Sequence, residues 1–228
     1  MLLRRTLIAL LLAVPLSLYA SELLDRIAAT VNSQVILQSD WDEEVRFEAF
    51  MSGRKPEDVT AEQRKAALDR LIDQSLLRQQ MRTELKPAGA DVVKKEIDEL
   101  KREQLRERPG QSWETTLSRY QLTNKIVEDH VAAELEQFQM VDSRFRPSIQ
   151  ISTAEIERYY REQIVPNLPG SDPLALNDAA PKIKEILIQE KINQLLNSWL
   201  ETLRSQAQIQ LPSGDHSSDL QPSAQGTR

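Results

Sequence analysis

The side chains of this 228-residue chain with potential chemistry are two histidines, His130 and His216, and two acidic runs, Asp42–Glu43–Glu44 and Glu96–Asp98–Glu99. A histidine beside a carboxylate can act as a general base, and paired carboxylates can divide into acid and base where their surroundings differ. The spacing argues otherwise. The histidines are far apart, with His130 in an apolar helical pattern, where it reads as a core or flank residue, and His216 in a polar tail. Two distant histidines without a single cysteine do not complete a zinc set, and neither H-E-x-x-H nor C-x-x-C occurs. "GRKPE" at 53–57 lacks the first glycine and the hydroxyl of a phosphate-binding loop, and no serine sits in a G-x-S-x-G turn. Both acidic runs read as solvated helix faces. No residue is assigned a catalytic role, and no metal, cofactor or small-molecule substrate is expected.

The elements that must position any site are mostly helical. Only six glycines occur and 5 % of residues are aromatic, against 28 % charged, a balance that favours helix over sheet. Arg4 and Arg5 precede an apolar run from Leu7 to Leu18, broken by Pro15 and followed by Ala20, the pattern of a secretory signal peptide at 1–20. No transmembrane segment is expected after its cleavage. The net charge of −6 disfavours nucleic acid, whose phosphates need a clustered positive field.

Residues 26–31 and 34–37 are short and β-rich, with Asn32-Ser33 as turn residues between them. Ser39 is expected to cap a first helix, with Asp42 completing a capping box and Trp41, Val45 and Ala49 on one face. Thr60 with Gln63 opens a second helix, and a third runs from about Asp91 to Arg106. Ser112 opens a short fourth. Thr123 caps a long fifth, with Val127, Val131, Leu135, Phe138, Val141 and Phe145 as its stripe. Ser152 with Glu155 starts "STAEIERYYREQI". A proline-rich linker follows at 166–179, then a helix from about Ala180 with Pro181 in its first turn, a strand at 207–211, and a polar tail at 212–228. A hairpin this small needs a third strand, and the strand at 207–211 is the candidate.

With these pieces in order, the chain resembles the SurA-type periplasmic chaperones. "DRIAATVNSQVILQSDWDEEV" is similar to that family's first strands and helix, "ALDRLIDQSLLRQQ" to its second helix, "STAEIERYYREQI" to the helix after its amino-terminal region, and "NSWLETLRSQAQIQL" to its closing helix and strand. The resemblance implies a mainly α, multi-helix core: a region at 21–165, with a helix and strand at 180–211 packing back to form a small antiparallel sheet with the N-terminal hairpin. One departure stands out. Parvulin isomerase domains separate these parts in the family, whereas here only 166–179 lies between them, and such a domain takes on the order of a hundred residues.

The function so implied is an ATP-independent periplasmic chaperone that binds unfolded exported or outer-membrane polypeptides in grooves between helices. Adaptable Met and aromatic side chains suit such grooves. Phe47, Phe50 and Met51, beside the "SGRKPED" turn, and the adjacent Tyr159 and Tyr160 are the expected peptide contacts. Two alternatives stay open: a peptidyl-prolyl isomerase of the same family, and a structural assembly adaptor with one fixed partner. Long helices on short linkers also allow a homo-oligomer by helix swapping.

Overall fold

The computed structural model describes residues 25–80, 87–106, 108, 110–167 and 176–212. The expected signal peptide at 1–20, most of the expected linker, and the tail beyond Pro212 with His216 lie outside the described residues. Within them the chain is mainly helical, with one three-stranded antiparallel sheet in the order β2-β1-β3. The hairpin is β1 (Ile27–Val31) and β2 (Gln34–Leu37), paired through Ala29–Ile36, Thr30–Val35 and Val31–Gln34, with a bulge at Ala28. The third strand is β3 (Ile209–Gln210), which places Gln210 opposite Thr30 and Ile209 opposite Val31. The two ends of the described chain thus hydrogen-bond to each other, as the orphan strand suggested.

Asn32 organises this junction. Its backbone is left-handed at φ 56°, a conformation that asparagine tolerates better than most residues. Its amide N–H donates to the Gln208 carbonyl (2.8 Å), and its side-chain oxygen accepts from the Gln208 N–H (2.9 Å). Its side-chain nitrogen donates to Oε1 of Gln79 (2.7 Å), which lies on the second helix. One side chain therefore ties turn, closing strand and helix together.

The helices are α1 (Gln38–Met51), α2 (Ala61–Gln80), α3 (Ala90–Arg106), α4 (Trp113–Arg119), α5 (Asn124–Phe145), α6 (Thr153–Tyr159) and α7 (Leu176–Gln206). Four starts follow the capping chemistry read from the sequence. Thr60 and Gln63 exchange bonds at α2, Ser112 accepts from the Thr115 N–H, Thr123 from the Ile126 N–H, and Ser152 with Glu155 forms a capping box. Two starts are corrected. β2 runs straight into α1, so Leu37 is the cap residue and Asp40 accepts its N–H at 3.0 Å, leaving Ser39 inside the helix. α7 begins at Leu176, a turn ahead of Ala180 and inside the expected linker. Pro181 therefore lies within it, past the first turn.

Burial divides into two cores. The first joins the sheet and the start of α1 (Trp41, Val45) to α2, the end of α5 (Met140, Val141) and α7 (Ile192, Leu203). The second joins the end of α1 (Phe47, Ala49, Phe50) to α3, α4 and the start of α5 (Val127, Val131), with Phe50 edge-on to both Trp113 and Tyr120. α1 and α5 belong to both. The apolar stripe of α5 therefore changes direction midway: Phe138, expected on its core face, is 51 % exposed, and Met140 is buried instead. α1 ends in a Schellman turn, with Gly53 at φ 65° donating to Phe50 and Arg54 donating to Ala49.

α7 is fastened along its length by charge. Glu185 takes Arg146 in a two-point bond, Lys191 reaches Glu155, and Arg204 donates to Asp73 (2.6 Å) and to the Asp69 carbonyl (2.9 Å) on α2. These bonds hold β3 where Asn32 can meet it. Asn32→Gly keeps the left-handed backbone and removes the side-chain bonds. It should cost about 1–2 kcal/mol in urea unfolding, and an unchanged midpoint would remove Asn32 from this role.

Candidate functional site

Helical spacing builds a cleft between three helices of the described residues. On α1, Glu44, Phe47, Glu48 and Met51 fall at i, i+3, i+4 and i+7, one face by periodicity. On α2 the same spacing aligns Arg70, Asp73, Gln74 and Leu77, and on α5 His130, Ala133, Glu134 and Gln137. These three faces, with Leu200 of α7, enclose about 530 Å³ at the junction of the two cores. The cleft is amphipathic: Phe47, Met51, Leu77, Ala133 and Leu200 supply apolar wall, and carboxylates outnumber cations around them.

Glu44 is the least expected of these residues. The reading of Asp42–Glu43–Glu44 as a solvated face is corrected here, because Glu44 is only 2 % exposed. Its Oε1 lies 3.6 Å from Nη1 of Arg70, a guanidinium that also meets Glu48, and Oε2 has no hydrogen-bond partner among the described residues. Burial pushes the Glu44 carboxyl above its ordinary range, opposed by Arg70 and reinforced by Glu43 and Glu134. By contrast, the second acidic run behaves as read. Asp98 pairs with Lys94, and Glu99 with Lys95 and Arg102, all on the outer face of α3.

His130 stacks flat on Phe47, with centroids 4.1 Å apart and planes 9° apart. Its Nε2 lies 3.4 Å from Glu43 and its Nδ1 lies 3.7 Å from Oε2 of Glu44. Burial lowers its pKa, with Glu43 working against that shift, so the ring is neutral at pH 7. Its Nδ1 faces Oε2 of Glu44 from beyond hydrogen-bond reach, and that oxygen has no hydrogen-bond partner among the described residues.

The expected peptide contacts scatter. Phe47 and Met51 line the cleft, with Met51 44 % exposed at its mouth. Phe50 is corrected to a core position, with no exposed surface, because its place on α1 faces the second core, edge-on to Trp113 and Tyr120. Tyr159 and Tyr160 are half-buried where α6 passes into a π-type turn (Tyr160–Ile164), away from the cleft. Arg70, Asp73, Leu77, Glu134 and Leu200 were not read as site residues. The i, i+3, i+4, i+7 pattern was present on each helix, but nothing local showed that three such faces meet. Among the described residues no group of three or more His, Asp or Glu side chains converges to hold a metal, and no helix is long and apolar enough to cross a membrane.

No protein-family model matches the chain, and no curated protein shows significant similarity to it.

A carboxyl with a raised folded pKa contributes stability that is present below its ordinary value of 4.5 and lost as pH rises through the folded value. At neutral pH Glu44 is therefore a cost. Glu44→Gln should raise Tm by roughly 2–4 °C at pH 7.5, about 1 kcal/mol, and that advantage should shrink as pH falls toward 4. Differential scanning calorimetry across this range checks both the sign and the trend.

Proposed function

We propose that this protein is an exported, ATP-independent chaperone of the SurA type, reduced to its core module and holding unfolded outer-membrane or secreted polypeptides in a periplasm. The observation that carries the reading is the amphipathic cleft between α1, α2 and α5, set in a helical body whose ends are joined by the β1–β3 pairing. Such a cleft suits side chains that an unfolded chain exposes and a folded one hides. Shielding roughly 100 Å² of client apolar surface contributes about 2.5 kcal/mol, enough to slow aggregation and weak enough for release without nucleotide. Met51, unbranched and exposed at the cleft mouth, can repack around different clients. The acidic surface of the carrier also keeps it soluble at a net charge of −6.

The closing arrangement supports the family reading as well. "SQAQIQL" returns the chain to "IAATV" through β3, the relation that the resemblance implies, and α7 follows α6 with only a short connection where relatives carry isomerase domains. One observation favours the isomerase alternative: His130 and the buried Glu44 face each other beside a cleft, an arrangement found at many catalytic centres.

Two assays separate the readings. Aggregation of a urea-denatured outer-membrane β-barrel protein, followed by light scattering after dilution, should slow at equimolar protein and be indifferent to ATP. Cis–trans isomerisation of a short proline peptide should proceed at the uncatalysed rate. A client that aggregates at its unassisted rate removes the chaperone reading; a catalysed rate abolished in His130→Ala establishes the isomerase.

A further inference from the structure

We infer that the cleft between α1, α2 and α5 takes a cationic side chain of an extended polypeptide, an arginine or lysine whose charged end donates to the Glu44 carboxylate. This inference rests on the chaperone reading and names the client feature that the cleft selects.

The first support is the unsatisfied oxygen. Glu44 is 98 % enclosed, and its Oε2 accepts no hydrogen bond from any of the described residues. A buried carboxylate oxygen without a hydrogen bond is costly, and such groups persist at sites that a ligand completes. The neighbouring cation, Arg70, lies 3.6 Å from Oε1 and also meets Glu48, so Oε2 is the oxygen left without a bond.

The second support is the charge around it. Glu134 and Glu136 share the cleft with Glu44, while Glu48 pairs with Arg70 and Asp73 with Arg204. Arg78 is the remaining cation of the lining, so the field favours a positive guest. An anionic ligand would meet like charge, and a neutral donor could bond Oε2 without offsetting its charge.

The third support is shape and polarity. Phe47, Leu77 and Met51 provide an apolar wall from the Glu44 floor to the mouth. Arginine and lysine carry their charge on an aliphatic stem that such a wall would sheathe. A volume of about 530 Å³ leaves room for that side chain and part of the next residue. Exposed Met51 at the mouth offers contact to the continuing backbone and its neighbours, which a small free amine would not use.

His130 sets the entry condition. Its ring lies against Phe47 with Nδ1 3.7 Å from Oε2, covering the oxygen. An incoming cation must displace that ring, whose other nitrogen is already turned toward Glu43. The imidazole is then a cover, and its removal should strengthen the preference for cations.

The test uses the full chain and two fluorescein-labelled twelve-residue peptides of alternating leucine and a second residue, arginine in one and its uncharged isostere citrulline in the other. Fluorescence anisotropy at 20 and 150 mM salt should give at least tenfold tighter binding of the arginine peptide in both. In Glu44→Gln the two affinities should converge to within twofold; in His130→Ala the ratio should rise above the wild-type value. Equal binding of the two peptides by the wild type, a ratio unchanged in Glu44→Gln, or a ratio unchanged or lowered in His130→Ala overturns the inference. Should Glu44→Gln not fold, His130→Ala decides. Free arginine competing at the same concentration as the arginine peptide also overturns it, because the ligand would then be a small cation. Slowed aggregation of the β-barrel client with no cation preference would reject this inference and leave the chaperone reading standing.

Discussion

Asn32 holds a backbone conformation that few residues accept, and its side chain uses that position to bond both the closing strand and α2. The arrangement solves a problem of scale. A two-stranded hairpin is marginal in water, and a two-residue third strand supplies few ladder bonds of its own. The sheet persists because its buried face, with Ala29 and Val31 fully enclosed, packs on α2 and α7, and because Gln79 also donates to the Val31 carbonyl. The remainder of the fold depends on this closure. With β3 in place, α7 is bound to lie across α2, and the Arg204 bonds to Asp69 and Asp73 complete the clamp.

A second constraint follows from having two cores and only two helices common to both. α1 enters the first core through Trp41 and Val45 and the second through Phe47 and Phe50, so its intermediate positions lie where the cores part. Glu44 sits there. Packing at such a junction cannot be complete, because the helices that fill one core diverge toward the other, and the gap is the cleft. The stack of His130 on Phe47 bridges it from α5. The same geometry explains why a carboxylate is enclosed without being fully bonded: the surrounding helices cover it, and the nearest cation, Arg70, faces Oε1 and is shared with Glu48.

The sequence carried a good deal of this. The cap residues Thr60, Ser112, Thr123 and Ser152 act over three residues, and local hydrogen-bond chemistry determines them wherever the helix lies. The apolar alternation of "AQIQL" was legible as a strand, and its partner could be named because the hairpin had an unfilled edge. The errors have equally local causes. Ser39 is a good cap residue by type, but β2 feeds directly into the helix, and Asp40 was better placed to accept the Leu37 N–H. Pro181 suggested a helix start because proline is favoured there, yet α7 begins a turn sooner, at Leu176.

Length, composition and periodicity determined a mainly helical chain with a short hairpin and a terminal strand, because propensity, capping and turn chemistry act between residues near in sequence. They could not show that Glu44 is enclosed, that Phe138 is exposed, or that His130 lies flat on Phe47. Each of those outcomes depends on which helix faces which, and the partners concerned are separated by tens of residues. A charged residue on an amphipathic helix reads as solvated until a neighbouring helix covers it. The tertiary structure alone turned three ordinary helix faces into one cleft with an unsatisfied carboxylate, because burial is a property of the assembled helices and not of any one of them.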